Sequence, residues 1–368
     1  MIPLFKVATN VEQALKNVEE VLRSGYVGQG HWCERFEEGV KRLSGHKRFL
    51  YVNSGTSALQ LAYHLAGVGP GTEVISTPIT CIATNTAIVA LGGSIVWADV
   101  NPKTGLIDPK DVIRKVTSRT RAIVGVDWGG RGCDWKALRE GTRGISLIED
   151  AAHRIPGAFP SQGDFICYSF QAIKHLHTAD GGGLVCPSDA THERAKLLRW
   201  FGLDRTRSDS MRCYQPIDEA GWKFQPNDVL AAIGCANLEA ASWERRESGL
   251  SSSEIAEIYA HDLSGSPFVY APAATFMPWL YTILVSSPAA FEHFAAERGV
   301  MVSQVHARND IYGCFKEFQD GHLPGVDFFA AHQVSIPCGW WMEPAQVSQV
   351  VQMVKDWALT PEARWSME

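Results

Sequence analysis

The sequence lacks the features that would send it to a membrane, a disulfide scaffold or a nucleic acid. No stretch approaches the roughly eighteen unbroken apolar residues of a membrane-spanning helix. The start, Met1-Ile2-Pro3-Leu4-Phe5-Lys6, has no basic segment leading into an apolar one, so no secretory leader is expected. Basic excess is missing too: 34 Lys and Arg stand against 40 Asp and Glu, a formal charge of -6 at pH 7, which offers no footprint for nucleic acid or an anionic bilayer. The nine cysteines are an odd number and contain no CxxC pair, a spacing that matches neither a disulfide framework nor a zinc site. Several sit in apolar runs, where a free thiol behaves as a small hydrophobe, and a reducing cytoplasm is the expected home. Internal repeats and low-complexity tracts are absent. So is a Gly-x-Gly-x-x-Gly turn after the first predicted strand, which argues against a nicotinamide enzyme.

What is present is ordinary in bulk and specific in pattern. The 368 residues are 45% apolar and 20% charged, a soluble globular composition with room for two or three domains. Helical spacing of Val11, Ala14, Leu15, Val18, Val21 and Leu22 predicts a first helix, ended by Gly25, and a second helix is expected from His31 to Leu43. Strands are then predicted at 49–52, 73–77, 94–100, 121–127, 145–149, 165–170 and 184–186, with helical segments between most of them. Val- and Ile-rich strands alternating with helices predict an α/β fold with a mostly parallel sheet covered on both faces. In such sheets ligands gather at the carboxyl ends of strands. Further along, helices are expected at 190–201, from Asn227 toward Trp243, at 289–298 and at 344–359. Strands are expected at 268–270 and 281–285, with loops at 202–215 and 321–325. A boundary near Ala240 divides a large domain, 1–240, from a smaller C-terminal α+β domain, 241–368.

Three local patterns carry chemistry. Tyr168-Ser169-Phe170-Gln171-Ala172-Ile173-Lys174 brings a lysine among uncharged neighbours to the end of a strand, followed by Asp180-Gly181-Gly182-Gly183. Desolvation turns such a lysine into an amine nucleophile for carbonyls. Asn53-Ser54-Gly55-Thr56-Ser57 joins a strand to a helix, a geometry whose free N–H groups and macrodipole of roughly half a unit charge favour an anion, although a capped helix start without a ligand has the same appearance. Asp150 ends an apolar strand and needs a cationic or hydrogen-bonding partner, which a protonated pyridine nitrogen or a following turn would supply. Together these are the parts expected of a pyridoxal 5'-phosphate site, with Lys174 on the aldehyde, Asp150 on the ring nitrogen and the Gly55 turn on the phosphate.

The motifs Gly55-Thr56-Ser57-Ala58-Leu59, Glu149-Asp150-Ala151-Ala152-His153, Ser169-Phe170 with Lys174 and Asp180-Gly181-Gly182, in that order, resemble the sugar aminotransferases of the DegT/DnrJ/EryC1/StrS family. The resemblance runs from Gly25-Tyr26-Val27-Gly28-Gln29-Gly30 to the last helix. It implies a fold-type I pyridoxal phosphate enzyme, a homodimer with active sites at the subunit interface, and amino transfer from glutamate to a keto group on a nucleotide-linked sugar. By position it implies Lys174 and Asp150 as catalytic residues, and Thr56, Ser57 and Ser169 on the phosphate beside Gly55. It also implies His153 beside the ring, and His306 and Arg308 near the substrate. Cys81 stands where relatives often carry a stacking aromatic, and Lys223 where an Asn often reaches the partner's phosphate. Relatives that dehydrate sugars have His in place of the lysine, so Lys174 points to transamination. A non-catalytic member that binds pyridoxal phosphate or a sugar nucleotide without turnover is the alternative reading.

Overall fold

The alternation of apolar strands with helices builds one large sheet in the computed structural model, which describes residues 1–158, 160–206, 214–240, 249–266, 269–270, 277–319 and 321–364. Its strands are β1 (Phe49–Val52), β2 (Glu73–Ser76), β3 (Ser94–Trp97), β4 (Thr120–Val126), β5 (Ser146–Asp150), β6 (Phe165–Ser169) and β7 (Gly182–Val185). Their spatial order is β1-β7-β6-β5-β4-β2-β3. Every residue of β1, β2 and β7 is buried, as strands covered on both faces must be. The central pairs are parallel, whereas β7 runs antiparallel to both β6 and β1. The reason is local: no helix separates β6 from β7, and a parallel return needs a crossover of about a dozen residues or more, usually helical.

Helices α1 (Val11–Ser24), α2 (His31–Ser44), α3 (Gly55–Leu65), α4 (Ile82–Val89), α5 (Pro109–Lys115), α6 (Trp135–Gly141), α7 (Asp189–Leu198) and α8 (Asp228–Glu239) flank this sheet. The predicted periodicity of α1 is present: Ala14, Asn17 and Val21 are buried, and Asn17 donates its side-chain amide to Ala232 O of α8 at 3.1 Å. Gly25, at φ 71°, ends α1. Trp243, toward which the α8 helix was expected to extend, lies outside the described residues, as do Phe268 and part of the 202–215 loop.

The C-terminal part has its own core around a second, antiparallel sheet, order β10-β9-β8, made of β8 (Val269–Tyr270), β9 (Tyr281–Val285) and β10 (Gln333–Ile336). Helices α9 (Ser252–Asp262), α10 (Pro288–Glu297), α11 (Pro324–His332) and α12 (Pro344–Trp357) belong to this part. Ile2 joins its core and pairs with Val300, so the chain start returns to the C-terminal part. Three elements were not expected from the sequence: α9, α11 and β10. The loop expected through Gly325 gives way at Pro324, which starts α11 with its fixed φ. Asp99, far off in sequence, accepts the backbone N–H groups of Gly325 and Val326 at 3.0 and 2.8 Å. No described helix is long and apolar enough to cross a membrane.

Candidate active site

The carboxyl ends of the parallel strands open on a cavity of about 330 Å³. Gly55, Asp150 and Lys174, placed by the sequence just beyond or at strand ends, all line it. The turn from β1 into α3 forms one wall. Ser54 is the N-cap of α3 and its side chain accepts the Ser57 N–H at 3.1 Å, while Gly55 and Thr56 face the cavity at the helix start, where N–H groups have no intrahelical partner. Gly182 of β7 presses on this turn: a Cβ there would lie 2.2 Å from the Ser54 carbonyl. A Cβ on Gly55 would lie 3.1 Å from Ser169 Cβ, so these two residues are in close approach. Ser57 is buried and donates its hydroxyl to Asn53 Oδ1 at 2.7 Å; it braces the turn and does not line the cavity.

Asp150 is the last residue of β5 and is buried. Its Oδ2 accepts the Thr84 hydroxyl at 2.7 Å and its Oδ1 the Ala152 N–H at 3.1 Å. Burial pushes its pKa up, opposed by those two bonds and by the charge of Lys174. Among the described residues no basic side chain ion-pairs with it, so a buried acceptor is left facing the cavity. Behind it, Arg154 bridges the fully buried Asp127, at 2.7 Å, and Glu149. Burial and the Glu149 charge raise Asp127 to about 7.

Lys174 sits in a loop closed at its base by Phe170, which donates its N–H to Gly181 O and accepts that of Thr178. Its half-buried side chain reaches into the cavity, and burial lowers its pKa to about 7 against the opposing pull of Asp150 and Cys81. Near neutral pH a large share of this amine is unprotonated. Its Nζ lies 3.2 Å from the ring centroid of Trp279.

His153 is buried beside this pair. Gly129 donates its N–H to His153 Nδ1 at 3.2 Å, which leaves the proton of the neutral ring on Nε2. Burial holds its pKa well below the usual range, and burial lowers His306 to about 4; both are neutral imidazoles at pH 7. His306 lines the cavity, its ring 5.8 Å from that of His153. Cys81, at the N-cap of α4, also lines the cavity.

Two predicted residues lie elsewhere. Arg308 is held by Asp310, at 2.6 Å, and by Asp327. Lys223 is exposed, its Nζ 5.9 Å from the Trp200 ring centroid and its carbonyl accepting the Asn53 amide. Sequence reasoning missed Ser54, Thr84, Gln171, Asp180 and Trp279, all of which line the cavity. Ser54 carried a signal as an N-cap serine. Thr84 and Trp279 carried none, because they reach the site only through the fold.

These residues fit pyridoxal phosphate. A buried carboxylate without a basic partner suits a protonated ring nitrogen, a helix start walled by glycines suits a phosphate, and a lysine titrating near 7 suits an aldehyde. The comparisons agree. AtS13 of Actinomadura melliaura is 37% identical and superposes with a TM-score of 0.89, covering 97% of this chain and 98% of that one. The sugar aminotransferase CalS13 of Micromonospora echinospora is 34% identical with a TM-score of 0.88, covering 97% and 100%. The spore coat polysaccharide biosynthesis protein SpsC of Bacillus subtilis is 32% identical over 239 residues, 62% of this chain and 61% of SpsC, so that likeness spans less than two thirds of the relative. Residues 9–355 match the DegT/DnrJ/EryC1/StrS aminotransferase family, and the chain belongs to that family of pyridoxal phosphate-dependent enzymes, with the fold of its sugar aminotransferases.

Proposed function

We propose that the chain moves an amino group from glutamate to a keto group of a nucleotide-linked sugar, acting as a homodimer in the cytoplasm. The observation that carries this reading is one cavity holding both a lysine amine that titrates near 7 and a buried carboxylate without a basic partner. Pyridoxal phosphate, when bound, supplies an aldehyde and an electron-accepting ring.

The chain's own residues divide the remaining work. Gly55 and Thr56 at the start of α3, with Ser169 across from them, take the phosphate, and Ser57 keeps that turn in shape. Asp150 would hold the ring nitrogen in its protonated form, and that positive charge would in turn favour the ionised form of the buried carboxylate. His153, fixed by Gly129, and Cys81 both line the space that the ring would occupy. Lys174 would hold the aldehyde, and its amine is the group placed to carry a proton at the donor's alpha carbon. His306 serves the substrate end as a neutral donor or acceptor. Arg308, already held by two carboxylates, braces that loop.

The large domain, 1–240, carries the cofactor groups, and the smaller domain, 241–368, adds Trp279 and His306. Exposed Val11, Leu15 and Leu22 on α1 offer apolar surface to a second copy, and exposed Lys223 is free to reach a partner's phosphate site. The free cysteines among the described residues suit a reducing compartment. The test is to incubate the pyridoxal phosphate-loaded protein with glutamate and a panel of nucleotide-linked 3-keto and 4-keto hexoses. A product with the mass of the amino sugar is expected, and its absence across the panel overturns the reading.

A further inference from the structure

Trp279 enters the cavity from the segment just before β9 and is held by two hydrogen bonds and two ring contacts. Its indole Nε1–H donates to Ile173 O at 2.8 Å, so it is tethered to the residue preceding Lys174. Its backbone N–H donates to Gly129 O at 3.2 Å. Phe5 stacks on it at 5.1 Å with an interplanar angle of 21°, and His153 packs at 4.1 Å. It separates the main cavity from a smaller one lined by Phe5, Ser252 and Trp340. An indole held this firmly cannot follow the lysine when the lysine moves. The ring face that meets Lys174 Nζ is therefore a fixed surface.

We propose that Trp279 is a positioning residue, a resting surface that holds the Lys174 amine whenever that amine is not bonded to the cofactor. The inference rests on the transaminase reading above and adds to it a place from which the freed amine acts. In amino transfer the lysine must leave the cofactor and then act as proton carrier, and a flexible chain bearing a charge would otherwise turn toward solvent. The negative face of an indole favours the ammonium form within about 6 Å of the ring centroid, most strongly where water is excluded. Other groups around Lys174 act on it too: Asp150 at the end of β5 and Cys81 at the start of α4 favour its charge. His153, His175 and His306 are neutral neighbours near pH 7, and Asp180 lines the same cavity. Burial works against the charge, so the indole and the carboxylate keep part of the amine protonated in an apolar setting.

The test reads Lys174 in the cofactor-free full-length chain, with neither amino donor nor sugar present. Acetylation of Lys174 by acetic anhydride is followed by mass spectrometry as a function of pH in wild type, Trp279→Leu and Trp279→Phe. Losing the ring face while keeping an apolar side chain is expected to move the onset of labelling to lower pH by about one unit in Trp279→Leu. Trp279→Phe, which keeps a weaker ring face, should shift by less and guards against a leucine variant that does not fold. In the loaded enzyme both variants should lower kcat in the glutamate half-reaction more than they change KM. A labelling curve that is unmoved or shifted to higher pH in both folded variants overturns the proposal. Because labelling needs no turnover, failure of the sugar aminotransferase reading would leave that result intact, and the two can be told apart.

Discussion

Half-buried Lys174 and buried Asp150 are both ionisable groups pushed toward neutrality, and each restrains the other: the carboxylate raises the lysine's pKa and the ammonium lowers the carboxylate's. Removing the lysine in Lys174→Ala should cost on the order of 10²- to 10⁴-fold in kcat through lost proton transfer alone, read from glutamate-driven turnover. Thr84→Val takes one hydrogen bond from Asp150. A bond to a charged group contributes about 1.5–3 kcal/mol to stability, so chemical denaturation should show a loss of that size, and kcat should fall as Asp150 is held less firmly. The lysine also links stability to pH. Its folded pKa of about 7 lies below the ordinary lysine value of 10.5. The unfolded chain therefore binds the extra proton between those values, and stability rises with pH across that window and is flat below it. The melting temperature of wild type should gain on that of Lys174→Met from pH 7 to pH 10; a constant difference would contradict the assignment. Lys174, Asp150 and Gly55 were legible in the sequence because each belongs to a strand-end pattern. Thr84 was not, because it meets Asp150 across 66 positions.

Among the elements, β7 and the α3 turn determine the shape of the phosphate wall. Gly182→Ala would drive a Cβ into the Ser54 backbone, where no flexible side-chain end can yield. Overpacking of this kind costs about 1–3 kcal/mol, and the urea midpoint should fall together with affinity for inorganic phosphate, whereas loss of stability with unchanged phosphate binding would remove β7 from the site. The strand-helix alternation was readable because its periodicity is local. The start of α11 was not, since its first N–H groups are taken by Asp99 on the other side of the chain, a partner that no local pattern announces. The antiparallel course of β7 had a signal that went unused: the stretch after β6 carries a lysine loop and glycines rather than a helix.

At the scale of the whole molecule, the cavity draws on both sheets' surroundings, with Lys174 and Asp150 from the first and Trp279 and His306 from the C-terminal part. Next to Asp150 and His153 in the chain, Glu149 and Arg154 form buried charge with Asp127. Arg154→Met would strand Asp127 and Glu149, whose side chains are 0% exposed, and should cost about 3–5 kcal/mol in chemical denaturation. Adding Asp127→Asn and Glu149→Gln should recover much of it, because the uncompensated charges are then gone. If the homodimer reading holds, light scattering should give twice the 40.5 kDa of one chain. The proposed activity is the transfer of nitrogen from an amino acid to a sugar in this cavity, with Lys174 as the proton carrier. It is tested most directly by following the label of ¹⁵N-glutamate into nucleotide-linked 3-keto and 4-keto hexoses by mass spectrometry, with wild type and Lys174→Ala side by side. We expect ¹⁵N in the sugar with wild type and a rate of label transfer at least about 10²-fold lower with Lys174→Ala; label that transfers at the wild-type rate without the lysine, or never transfers with it, would contradict the assignment.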